Sequence, residues 1–125
     1  MGTLATFARV YVSDLEPALG LFTDAGAPEP RLRFSHASGL ELALVGDVLV
    51  LAGPEEVLAG FRETQVTSVV DDLDVALDRA RGLGAEVLRG PAAQETGRNA
   101  TVRMPFGAVV EYVEWSAEVR ARLGV

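Results

Sequence analysis

Residues 12–27 read VSDLEPALGLFTDAGA, and residues 70–85 read VDDLDVALDRARGLGA. At a constant offset of 58, seven of sixteen positions are identical without a gap: Val12/Val70, Asp14/Asp72, Leu15/Leu73, Ala18/Ala76, Leu19/Leu77, Gly26/Gly84 and Ala27/Ala85. Any two strand-to-helix junctions share a cap and some leucines. A match that also takes in the helix-ending glycine points to duplication of a whole structural unit.

Each copy reads as a strand running into a capped helix. Ala8, Val10 and Val12 alternate with Phe7, Arg9 and Tyr11, the period of a strand with two unlike faces. Ser13 or Asp14 then caps a helix, and Ser13 and Glu16 have capping-box spacing. Pro17 falls in the first turn, where its missing N–H costs little. Leu15, Ala18, Leu19 and Phe22 form an apolar stripe, and Gly26 supplies a stop. In the second copy, Val66, Ser68 and Val70 alternate with Gln65, Thr67 and Val69. Asp71 or Asp72 caps the helix, Leu73, Ala76, Leu77 and Ala80 form its stripe, and Gly84 ends it.

Outward from these junctions, each half continues as three further strands. In the first they are 31–37, 40–45 and 48–52, broken at Ser38-Gly39 and Gly46-Asp47. In the second they are 85–88 (open to continuing later), 100–104 and 108–115, broken at Gly90-Pro91, at Gly97 and at Pro105-Phe106-Gly107. The expected organisation is α+β: a single domain, 1–125, of two tandem βαβββ modules, 1–53 and 62–115. A linker at 54–61 joins them, with Leu58 and Phe61 available to tuck beneath the sheet, and a short C-terminal helix at 116–123 is capped by Ser116.

Composition removes several chemistries. The chain has one histidine, His36, and no cysteine, and all 11 of its basic residues are arginine. Lysine nucleophiles, Cys–His catalysis, disulfides and cysteine-ligated metals are excluded, as is a three-histidine zinc site within one chain. A net charge of −7 argues against a nucleic-acid partner. No apolar run approaches the roughly 20 residues that span a bilayer. The N-terminus lacks the pattern of a signal peptide, and the absence of cysteine fits the cytoplasm.

Two βαβββ modules with these junctions resemble the vicinal oxygen chelate superfamily, which includes glyoxalases, extradiol dioxygenases and bleomycin-type resistance proteins. The resemblance covers residues 5–115 and rests on Val12-Ser13-Asp14-Leu15, on Val70-Asp71-Asp72-Leu73 and on the ending Met104-Pro105-Phe106-Gly107-Ala108-Val109-Val110-Glu111. That ending is similar to the family's D-P-x-G-N-x-x-E, with Met104 replacing Asp and Ala108 replacing Asn. The resemblance implies a curved mixed sheet around a cavity, helices on its convex side, and a homodimer.

The family's metal enzymes take one ligand from the first and one from the last strand of each module. Carried over from Asp14, Asp72, Gly46 and Gly107, those positions are Phe7, Gln65, Val50 and Glu111. Only Glu111 is a strong oxygen donor, and Phe7 and Val50 offer nothing to a divalent cation. The resemblance thus implies a cavity without a metal and without another cofactor.

Glu111 should face that cavity with Val109 and Val113, while Val110 and Tyr112 face the helices. A desolvated carboxylate there has a raised pKa unless Arg9 or Arg103 compensates it, and it suits an amine, an amide or general-base work. Phe7, Tyr11 and Phe34 offer aromatic walls, and Thr67 and His36 further polar contacts. Each has a plainer alternative. His36 beside Ser38-Gly39 reads equally as a turn-edge residue, the aromatics as core, the arginines as surface ion pairs, and Glu111 as a solvated carboxylate.

The expected ligand-binding set is therefore Phe7, Arg9, Tyr11, Phe34, His36, Val50, Gln65, Thr67, Arg103 and Glu111, with Glu111 also the catalytic candidate. The leading expectation is a metal-free protein similar to the antibiotic-resistance members, holding an aromatic or cationic small molecule. The alternative is a superfamily lyase, isomerase or dioxygenase with an atypical site at Gln65, Glu111 and His36, or a metal-free one centred on Glu111.

Overall fold

The computed structural model describes residues 2–22 and 29–125. Its elements are β1 (Thr3–Val12), α1 (Leu15–Phe22), β2 (Leu32–Ser35), β3 (Glu41–Val45), β4 (Val48–Ala52), α2 (Glu55–Leu58), β5 (Thr64–Val70), α3 (Leu73–Gly82), β6 (Glu86–Gln94), β7 (Gly97–Arg103), β8 (Val109–Trp115) and α4 (Ala117–Leu123). The class is α+β, and each half carries the expected βαβββ order. Among the described residues no helix is long and apolar enough to cross a membrane.

The contacts divide the chain into two compact units, Phe7–Glu63 and Met1–Thr6 with Thr64–Val125. Strand order in the first is β2-β3-β4-β1, and in the second β6-β7-β8-β5. In each, the module's first strand pairs parallel with its last, and the remaining pairs are antiparallel. The repeat seen at the two junctions thus extends through the whole strand pairing.

In the first unit Leu15, Ala18 and Leu19 of α1 pack on Ala43, Val50 and Ala52, with Val12, Val45 and Val48 at the margin. Phe22, the last residue of the expected stripe, is 40% exposed and takes no part in this core. The expected stop at Gly26 lies outside the described residues. Beyond β4, Leu58 of α2 is buried.

The second unit shows how its helix is fixed at both ends. Asp72 is the N-cap, and its carboxylate accepts from the Val75 N–H at 3.1 Å. The Leu73 N–H is satisfied from elsewhere, by Glu114 Oε1 of β8 at 2.8 Å. A cap of this kind contributes about 1 kcal/mol. Leu73, Leu77 and Ala80 face Val70, Ala100 and Val102, with Val110 and Tyr112 packed against the same cluster. At the far end Ala85 N–H bonds Ala80 O and Gly84 N–H bonds Arg81 O, with Gly84 at φ +98°. This double closure requires a left-handed residue, which is why glycine stands there.

Met1–Thr6 groups with the second unit because Gly2 and Asp71 are bonded twice. Gly2 N–H donates to Asp71 Oδ1 at 3.0 Å, and Asp71 N–H donates to Gly2 O at 3.1 Å.

Two expected breaks are not breaks. β6 runs on through Gly90-Pro91 to Gln94, with shifts of register between Val87 and Arg89 and between Arg89 and Ala92. It is the outer strand of its unit, beside β7 alone, so a residue without an N–H is tolerated. β7 begins at Gly97, not at Ala100, because Gly97 already pairs with Gln94 and Trp115. That extension brings Arg98 and Asn99 into the ladder.

Candidate functional site

Strand alternation on β8 decides which side chains meet. Val110 and Tyr112 pack on the α3 side, so Val109, Glu111 and Val113 occupy the opposite face. On that face Glu111 is paired with Thr67 of β5 and with Thr101 of β7, placing three polar side chains in one row across the strands. Above and below the row lie apolar groups: Val109 and Val113 along β8, and Val69 paired with Val113.

The carboxylate is half-buried and takes hydrogen bonds from two neutral side chains. Thr67 Oγ1 donates to Glu111 Oε1 at 3.2 Å, and Asn99 Nδ2 donates to Glu111 Oε2 at 3.0 Å. Thr67 is 2% exposed and Thr101 7%, so both hydroxyls are withdrawn from bulk water. Hydrogen bonds to a charged acceptor contribute about 1.5–3 kcal/mol each, enough to fix one rotamer of Glu111. An oriented carboxylate among valines is a ready acceptor for an N–H donor presented to that face.

Arg103, also on this face, is paired across the ladder with Glu86, and its Nη1 lies 3.8 Å from Glu86 Oε1. Gln65 is displaced. The β5–β8 register shifts between Thr64 and Val66, leaving Gln65 as the extra, exposed residue of a bulge. Thr64, 1% exposed and paired with Val109, sits where an unbulged strand would have placed Gln65.

The first-unit candidates serve mostly to bind the chain to itself. Tyr11 donates its hydroxyl to Phe61 O. The Arg9 and Arg62 guanidinium groups lie 5.5 Å and 5.9 Å from the centre of its ring. Arg62 also grips Glu55 with two bonds, of 2.9 Å and 2.7 Å, and this holds the Glu55 carboxyl below its ordinary pKa. His36 stands edge-on to Phe61 at 6.1 Å, and its Nδ1 accepts from the Ser38 N–H at 3.0 Å. An Nδ1 used as acceptor places the proton of a neutral ring on Nε2. That is the turn-edge arrangement.

Phe7 is 1% exposed and Phe34 half-buried. Val50 corrects an expectation. Its side chain points to α1 and packs on Leu15, Ala18 and Leu19. Leu49, paired with Arg9, takes the place that Glu111, paired with Thr67, takes in the other unit. Two residues were missed altogether, Asn99 and Thr101. Reading β7 from Gly97 in antiparallel register with β8 finds both.

Among solved structures, an uncharacterised protein of Methanosarcina mazei is 44% identical, with a TM-score of 0.86, covering 93% of this chain and 95% of that one. The two proteins belong to one family. Methylmalonyl-CoA epimerase from Mycobacterium tuberculosis shares the fold at 17% identity and a TM-score of 0.73, covering 95% and 93%. An extradiol ring-cleaving dioxygenase from B. fuscum shares it at 14% identity and a TM-score of 0.56, with 92% of this chain matching 33% of that one. This chain's fold is that of the vicinal oxygen chelate superfamily. No family model and no curated protein matches the chain.

The superfamily's metal can be tested against this donor set. Of the four positions carried over, Phe7 is a buried phenyl group, Val50 belongs to the α1 core, and Gln65 stands on a bulge. Leu49, the structural counterpart of Glu111, has no donor atom. Glu111 alone remains, and its two oxygens already accept from Thr67 and Asn99. Among the described residues, no group of three or more His, Asp or Glu is placed to hold a metal ion. A divalent cation does not fit these residues, since its hydration shell would have no replacement.

Proposed function

We propose that this protein is a metal-free small-molecule binder that receives an aromatic or cationic compound on the Glu111 face. The observation that carries the reading is the carboxylate held by Thr67 and Asn99 between Val109 and Val113. A carboxylate oriented by Thr67 and Asn99 presents an acceptor to a ligand N–H, and the valines favour an apolar body around that group. The net charge of −7 also favours a cation over an anion.

The test is a thermal-shift panel of aromatic amines, aromatic amides and divalent cations, run with and without chelator. The reading predicts that at least one organic compound raises Tm with chelator present and fails to do so with Glu111→Gln. Stabilisation by divalent cations alone overturns it.

A second reading keeps the same carboxylate and adds turnover, with Glu111 as acid or base. Its half-burial beside two polar donors is the feature that favours this. The two readings part at Glu111→Gln. An acid–base enzyme loses turnover and keeps substrate binding, whereas a binder of amines loses the binding itself.

A further inference from the structure

Glu111 and Tyr112 are neighbours on β8 and point to opposite faces, so the second unit has a second surface unrelated to the carboxylate. There, between α3 and the turn leading into β8, lies a cavity of about 380 Å³. Val75, Ala76, Leu83, Met104, Phe106 and Tyr112 line it. Its volume falls within the range of about 300–1,000 Å³ found for small-molecule sites. The rim is apolar as well: Val75 is 48% exposed, Leu83 75% and Phe106 81%. Large apolar side chains gathered around a concavity lose contact with water when a ligand enters, and that is the driving force for binding.

The polar groups of the lining define the ligand. The Asp71 carboxylate is turned to the Gly2 N–H, and that of Asp72 to the Val75 N–H. Arg79 also lines the cavity beside these two engaged carboxylates, so neither sign of charge dominates the lining. The Tyr112 hydroxyl has no hydrogen-bond partner among the described residues, and burial raises its pKa, so it remains a donor at neutral pH. We infer that this cavity is a binding site for a small, neutral, mostly apolar molecule bearing one carbonyl-type acceptor for the Tyr112 hydroxyl.

The experiment uses the neutral naphthalene ketone 6-propionyl-2-dimethylaminonaphthalene, whose emission shifts to the blue in apolar surroundings. The full chain should bind it saturably with a blue shift, and should bind anilinonaphthalene sulfonate at least about tenfold more weakly. Val75→Trp, an exposed substitution at the mouth, should weaken ketone binding at least about tenfold. Tyr112→Phe should weaken it about threefold or more, the worth of one ordinary hydrogen bond, with Tm unchanged.

The absence of saturable binding overturns the inference, as does binding by Val75→Trp or Tyr112→Phe equal to that of the unsubstituted chain. Preference for the sulfonate overturns the neutral class. If sedimentation shows that Val75→Trp dissociates a dimer, the face is an interface between copies, and the inference falls.

Discussion

Asn99 of β7 donates its side-chain amide to Glu111 Oε2 of β8 at 3.0 Å, two residues out of direct register, since Asn99 itself is paired with Val113. The diagonal contact completes the clasp that Thr67 begins from the other side. It makes Glu111 a fixed acceptor instead of a mobile surface carboxylate.

Asn99→Ala should therefore act on binding more than on stability. Removing one donor to a charged acceptor costs about 1.5–3 kcal/mol of orientation, or roughly tenfold or more in affinity for an amine ligand. Calorimetric titration of the variant checks this. Unchanged affinity would show that Asn99 only decorates the site.

Gly90 underlies the position of Asn99. Its φ is +81°, and a Cβ there would lie 2.6 Å from Asn99 O. Gly90→Ala must shift the β6–β7 ladder, with an expected loss of stability of at least about 1–3 kcal/mol. Ligand affinity should fall with it, because Asn99 moves. Chemical denaturation and titration of the same sample read both effects.

Stability in acid should depend on Asp71. The Gly2 N–H, first among the causes, holds its carboxyl below the ordinary range. A folded pKa below the unfolded one of about 4 gives stability that is complete above that pH and lost as pH falls through the folded value. Asp71→Asn should lower Tm at pH 7 while differing less from the unsubstituted chain near pH 3. Equal differences at both pH values would remove Asp71 from the account.

The entry to α3 rests on two carboxylates, Asp72 on the Val75 N–H and Glu114 on the Leu73 N–H. Asp72→Ala should cost about 1 kcal/mol, measured by urea unfolding. Leu77→Ala, at a residue 2% exposed in the core of the same unit, should cost about 2–5 kcal/mol. A smaller loss for Leu77 than for Asp72 would contradict the packing described.

The parts of this structure legible in the sequence are those written in local periodicity. The caps, stripe and glycine of residues 70–85 define α3, and alternation in 109–115 puts Glu111 opposite Tyr112. Long-range register was not legible. Whether Val50 or Leu49 lies beside Arg9 depends on how β4 pairs with β1, and a slip of one residue exchanges the two faces. The bulge at Gln65 likewise exists only in the pairing of β5 with β8. Asn99 was hidden because Gly97 looked like a break, although in the ladder it is the first residue of β7.

The central claim, that the Glu111 face takes a molecule and not a metal, is tested most directly by amide NMR on chelated, ¹⁵N-labelled protein. It is titrated first with the best-stabilising aromatic amine of the panel and then, separately, with Mn²⁺. The account predicts saturable shifts of Thr67, Asn99 and Glu111 with the amine, their loss in Glu111→Gln, and no selective broadening of these signals by stoichiometric Mn²⁺. Selective broadening by Mn²⁺, with no shifts from the amine, would contradict it.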